Sequence, residues 1–214
     1  MKNSTIFFVV LSFPLLLASA NGFEQPLDAV RGPVDEVLRV FKDPQFQDGD
    51  TKSLDLEKLR MTLGKLFDYT EISRRALARN WRNFDPQQRE EFSALFGEFL
   101  GNTFLNTIQT ELQDKTVVYE KQKMVSHTKA VVKTSVLRGN VEIPVQYNMK
   151  MRNGQWRAYD VKIQGVSIVK NYRTQFEKLL MNQEPAELIA NLKEKVKKQR
   201  QSAEAPDVHV QWGE

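Results

Sequence analysis

Among the side chains that most often carry chemistry, this 214-residue sequence has two histidines, His127 and His209, and no cysteine. Without cysteine there is no disulfide, thiolate nucleophile, iron–sulfur cluster or cysteine-ligated zinc. Two distant histidines leave little for an imidazole metal site or a catalytic dyad. His127 falls at the edge of a predicted strand and His209 in a polar tail. Carboxylates are scattered, and Glu90-Glu91 is ordinary first-turn charge on a helix. Asp160, between Tyr159 and Val161, is the one acid in an apolar strand and is expected to cap or pair locally. No G-x-S-x-G, H-E-x-x-H, Walker loop or G-x-G-x-x-G occurs. Nothing in these residues asks for an enzyme, a metal or a cofactor.

Charge points nowhere strongly. Lys plus Arg is 31, Asp plus Glu is 27, and the net charge is +4. So small and dispersed an excess does not make a nucleic-acid surface. The local exception is Lys193 to Arg200, K-E-K-V-K-K-Q-R. It reads as the solvated face of a last helix, or as a patch for anionic lipid headgroups or an acidic partner.

The sequence is richer in apolar side chains. Hydrophobic residues make up 41%, and thirteen are Phe, three of them within the first twenty residues. Several of the remainder lie on one long predicted helix, opposite strand faces of Val, Ile, Tyr and Met. A solid core and a pocket for an apolar ligand use the same residue types. Periodicity does not separate a filled interior from a hollow one.

The elements that position these residues follow from periodicity. Leu27, Val30, Val34, Val37, Leu38 and Phe41 recur at helical spacing, with Pro33 expected to kink that helix or mark its true start. Asp43 to Asp50 reads as a loop. Leu56, Leu59, Leu63 and Leu66 make a second helix. Asp68 and Glu71 suggest a capping box before a short third. Asp85-Pro86 opens the longest helix, to about Leu112. Its apolar residues Phe92, Leu95, Phe96 and Phe99, then Leu100, Phe104, Ile108 and Leu112, face two directions. Gly97 and Gly101, one turn apart, would admit another element closely.

From Thr116 the period changes to two. Strands are predicted from Val117, from His127 to Leu137, from Val141 to Arg152, and from Trp156 to Ile163. Hairpins are expected at Arg138-Gly139-Asn140 and at Asn153-Gly154. Pro144 suggests a bulge or an edge. After Gly165 two helices return, one with Val169, Tyr172, Phe176 and Leu179, the other opened by Pro185. The order predicts an α+β fold, a curved antiparallel β-meander with helices on one face, able to enclose an apolar interior.

The N-terminus carries a separate signal. Met1-Lys2, an apolar run from Ile6 to Leu17 and Ala18-Ser19-Ala20 have the three parts of a secretory signal peptide, with cleavage expected after Ala20. The run is shorter than the ~20 residues of a membrane span. Loss of Lys2 leaves +3. The expected organisation is residues 1–20 as signal peptide, 21–200 as one domain and 201–214 as a disordered tail.

Motifs then carry a resemblance. Trp156-Arg157-Ala158-Tyr159-Asp160-Val161, Gly165-Val166-Ser167 and Asn171-Tyr172-Arg173-x-Gln175-Phe176 resemble the MlaC family, also called the toluene-tolerance family. Phe67-Asp68-Tyr69 to Ser73, Trp81, Pro86-x-x-Arg89-x-x-Phe92 and the segment from Pro185 to Lys193 match it too. The resemblance implies an NTF2-like fold and a soluble periplasmic carrier that buries phospholipid acyl chains, without catalysis. It implies exchange with an outer-membrane lipoprotein–porin complex and with an inner-membrane ABC transporter bearing an MCE-domain subunit, in maintenance of outer-membrane lipid asymmetry. An NTF2-like enzyme and a solid-cored protein-binding adaptor are the alternatives.

The lining expected where family motif and inward apolar residue coincide is Phe96, Leu100 and Phe104 on the long helix. On the strands and beyond it is Val145, Tyr147, Met149, Tyr159, Val161, Val166 and Val169. Arg89 and Arg173 are rim candidates, or ordinary helix-pairing arginines. Headgroups point outward in the family, so no dedicated phosphate site is expected.

Overall fold

In the computed structural model, residues 25–43, 52–111 and 116–204 are described. The expected signal peptide lies outside them, as do residues 44–51 of the first loop. The first helix, α1 (Pro26–Lys42), buries the stripe Val30, Val34, Val37 and Phe41. Each such side chain contributes about 1.5–3 kcal/mol on burial. Pro33 lies inside α1 rather than at its start, which is at Pro26. Helix α2 (Lys52–Leu66) buries Leu59, Leu63 and Leu66 completely. Its chain exit adds a short parallel bridge to the sheet at Phe67 and Ala158, where the Asp68 amide donates to the Ala158 carbonyl at 3.0 Å.

Helix α3 (Tyr69–Leu77) is capped by Asp68, which accepts from the Glu71 amide at 3.0 Å. The expected box closes only halfway, because the Glu71 carboxylate is taken by Arg74 and Arg75. A 3-10 turn (Ala78–Asn83) leads to α4 (Pro86–Glu111). There the box is complete: Asp85 accepts from the Gln88 amide at 2.8 Å, and the Gln88 side chain accepts from the Asp85 amide at 3.1 Å.

The sheet is antiparallel, in the order β1 (Thr116–Ser126), β2 (Lys129–Arg138), β3 (Val141–Arg152), β4 (Gln155–Ile163) and β5 (Val166–Ser167). Two of its hairpins have paired positive φ angles, Asn153 (52°) with Gly154 (77°) and Gln164 (51°) with Gly165 (83°). The second makes the two-residue β5, a fifth strand that periodicity does not reveal because it is too short to alternate. Pro144 causes no bulge between β2 and β3, where it pairs with Ser135 in register. Its carbonyl accepts from Gln164 at 2.9 Å, so its missing N–H faces the β4–β5 turn, beyond the last β3–β4 pair. The bulge between those two strands lies in β4, between the pairs Asn148–Asp160 and Met149–Ala158.

Helices α5 (Ile168–Leu179) and α6 (Pro185–Glu204) complete the fold. Helix continues to Glu204, so residues 201–204 are not part of a tail; 205–214 lie outside the described residues. Helix α1 lies over one sheet face, held where the Leu27 amide donates to Gln122 at 2.8 Å and the Tyr119 hydroxyl to Asp35 at 2.6 Å. Helix α4 packs between α3 and α6.

Candidate functional site

Strand alternation places Val145, Tyr147 and Met149 of β3 on the α1 side of the sheet. Their β4 partners are Ile163, Val161 and Ala158. Tyr147, Met149 and Val161 are buried and Val145 is half-buried. Burial pushes the Tyr147 phenol up to about 12, so the hydroxyl is neutral at physiological pH. Four of the expected lining residues therefore share one apolar face.

Burial on that face falls off toward one end. Val145 pairs with Ile163, and Ile163 pairs with Val166 on β5. Exposure rises along this strip, from half-buried Val145 to 40% at Ile163 and 65% at Val166. Val166 was expected to point into an interior. It stands instead on the sheet edge, because β5 is short and little covers it. Ile163, outside the expected lining, belongs to the same strip, as its place in the β4 alternation implies.

The bulge in β4 explains a second difference. Tyr159 is the extra residue, so its ring turns away from the Tyr147 face and lies under the Arg75 guanidinium, 4.1 Å from it. Asp160 beside it is buried. It accepts from the Ser167 hydroxyl at 2.8 and 2.9 Å and from the Val169 amide at 3.2 Å. This local capping role fixes the start of α5 and buries Val169.

The long helix contributes to other neighbourhoods. Phe96 is fully buried in an aromatic cluster, with ring centroids 5.5 Å from Phe92 and 5.1 Å from both Tyr172 and Phe176. That space is filled by rings. Leu100 and Phe104 are half-buried against the core, and Phe104 meets Phe67 edge-on at 5.9 Å. Phe67, also outside the expected lining, links this helix to β4 through its bridge to Ala158.

Both rim candidates are half-buried and tied to the fold. Arg89 donates to the Trp81 carbonyl at 3.0 Å and lies over the Trp81 ring; Arg173 donates to the Arg75 carbonyl at 3.0 Å. In the basic run, Arg200 pairs with Glu98 at 2.5 Å, whereas Lys193, Lys195, Lys197 and Lys198 are exposed. His127 is exposed in the β1–β2 turn, and His209 lies outside the described residues.

A separate groove of about 620 Å³ lies between α1, α2 and the start of β4. Only Ala29 and Trp156 are shared between its walls and the buried apolar core. Among the described residues, no helix is long and apolar enough to cross a membrane, and no group of three or more His, Asp or Glu could hold a metal.

Comparison with known proteins adds three findings. The family described as MlaC protein matches residues 32–194. A curated relative, the toluene tolerance protein ttg2D of Pseudomonas putida, is 27% identical over 174 residues, covering 78% of this chain and 77% of its own. A phospholipid-binding protein of Ralstonia solanacearum, solved in complex with a phospholipid, has the same fold. It superposes with a TM-score of 0.69 at 22% identity, over 83% of this chain and 99% of that one.

Proposed function

The chain belongs to the MlaC family, and from that premise we propose that it is a periplasmic carrier of phospholipid. The observation that carries the reading is the apolar strip Val145–Ile163–Val166, which leads from the buried sheet face to solvent. A solid-cored adaptor has no need of an exposed apolar strip continuous with its core. The solved Ralstonia relative was determined with phospholipid bound, which is the ligand class this strip suits.

Acyl-chain burial supplies the driving force. Each buried methylene contributes about 0.8 kcal/mol, so two long chains exceed ~20 kcal/mol. Leaving a bilayer loses a similar amount. Transfer is therefore close to balanced, while release into plain water is strongly opposed. A carrier of this kind shuttles between membrane complexes: an outer-membrane lipoprotein–porin assembly on one side, and an inner-membrane ABC transporter with an MCE-domain subunit on the other. Energy input belongs to the transporter, and the carrier's own part is binding without covalent change. Residues 1–20, with cleavage after Ala20, are the export signal in this reading.

The test is direct. The mature protein is purified gently, extracted with organic solvent, and its extract analysed by mass spectrometry. Two-tailed phospholipid in stoichiometric amount is expected. A protein that repeatedly yields none, and takes none up from vesicles, is not a lipid carrier.

A further inference from the structure

The groove between α1, α2 and β4 has a charge that the apolar face lacks. Its walls carry Lys58, Lys65 and Arg157 against one acid, Glu36. Both oxygens of that acid accept from Arg39, at 2.8 and 3.1 Å, and the charges of Lys58 and Lys65 act on it more weakly. Neither Lys58 nor Lys65 makes an ion pair among the described residues. Arg157 is held in place: it donates to the Gly64 carbonyl at 2.7 Å and to Gln155 at 3.0 Å. Room is left at Gly32, where nothing lies within 4 Å of the position a Cβ would take.

We propose that this groove binds a phosphate-bearing anion, either a glycerophosphodiester headgroup or a free phosphate. Cations stand on two walls, α2 and β4, around a recess of about 620 Å³, a size that suits a small ligand. A carboxylate offers two oxygens in one plane. A phosphate offers oxygens in several directions and can meet ammonium and guanidinium donors from both walls at once. The recess and its pinned arginine favour a small anion over a flat membrane surface. The inference does not rest on the carrier reading, because the site is separate from the apolar strip.

The test uses the whole mature protein with inorganic phosphate, with sn-glycero-3-phosphoglycerol, and with phosphatidylglycerol or phosphatidylcholine vesicles. Binding is followed by calorimetry and by amide chemical shifts at Gln155 to Arg157. Saturable binding of a soluble probe is expected, weakened about tenfold or more by Lys58→Gln/Lys65→Gln. The exposed pair Lys121→Gln/Lys123→Gln, with the same charge change elsewhere, is expected to leave it intact. A stronger response to the diester identifies a headgroup site, and an equal response identifies a phosphate site. The proposal is overturned if no soluble probe binds, if both double variants weaken binding equally, or if only the anionic vesicles bind.

Discussion

Tyr69 occupies the space that a side chain at position 97 would need. Its ring lies across α4 so closely that a Cβ on Gly97 would stand 2.7 Å from Tyr69 Cγ, and one on Gly101 would stand 3.4 Å from the phenol oxygen. The two glycines are thus the seat on which α3 rests. Burial raises the pKa of the Tyr69 phenol, so the hydroxyl enters this seat uncharged.

Gly97→Ala is therefore expected to destabilise the protein. Alanine gains about 1 kcal/mol in helix propensity, but the overpacking it causes typically costs about 1–3 kcal/mol. Gly64→Ala in α2 meets nothing within 4 Å and is expected to be neutral or stabilising. Urea midpoints measure both. If the two substitutions shift the midpoint alike, the close approach of Tyr69 is not what keeps position 97 small.

Acid should weaken the charge cluster on α3. Burial alone would raise the Glu71 pKa, but hydrogen bonds from Arg74 and Arg75 outweigh it and hold the carboxyl below its usual range. Its folded pKa thus lies below the unfolded value of about 4.3. The stabilisation is present above that pH and is lost as pH falls through the lower folded value. Glu71→Gln is expected to lower Tm at pH 7 and to narrow its gap from the parent below pH 4. A constant gap between pH 7 and pH 3 would contradict this.

Substitutions to tryptophan separate lining from packing. Val145→Trp, on the half-buried strip, is expected to keep the fold and lose bound lipid. Phe96→Trp enters a filled aromatic cluster, so it is expected to lose about 1–3 kcal/mol of stability with little direct effect on lipid. Val166→Trp, 65% exposed in the parent side chain, is expected to leave Tm unchanged. Lipid content by mass spectrometry and Tm by calorimetry report the two effects independently. Full lipid loading in Val145→Trp would remove the strip from the site.

The exposed lysines of α6 bear on docking. Arg200 is engaged with Glu98, whereas Lys193, Lys195, Lys197 and Lys198 are exposed and make no ion pair among the described residues. Surface charge speeds encounter more than it deepens affinity, and salt screens it. Changing these four to Gln is expected to slow lipid transfer to the membrane complexes at low salt, without emptying the protein. Transfer rates that are the same in parent and variant, and flat with ionic strength, would exclude them.

Much of this fold was legible because periodicity encodes it directly. The stripe of α1, the Asp85-Pro86 start and the strict alternation of Val141 to Arg152 each follow from one local rule. The resemblance supplied the family, which the match over residues 32–194 shows. Less was legible where one residue changes the geometry. A bulge leaves no mark on composition, so Tyr159 reads as inward-facing until Met149 is seen opposite Ala158. Phe96 and Val145 are equally apolar. Whether such a residue meets rings or solvent depends on elements distant in sequence. The charged groove draws Glu36, Lys58, Lys65 and Arg157 from three elements distant in sequence, and no local pattern connects them.

The position of α1 has a consequence for how the chain comes to be folded at all. Its amide at Leu27 is satisfied by Gln122, and its Asp35 by Tyr119; its apolar stripe rests against β1, β2 and β4. Chains are made from the N-terminus, so this helix and its neighbour α2 are synthesised before the sheet that α1 covers. Until β4 has emerged, Val30, Val34, Val37 and Phe41 have no sheet to cover. A nascent chain therefore carries an apolar stripe that lacks its sheet until the meander has been made. Mutations that delay the meander would surface first as protease sensitivity near α1, far from the altered residue.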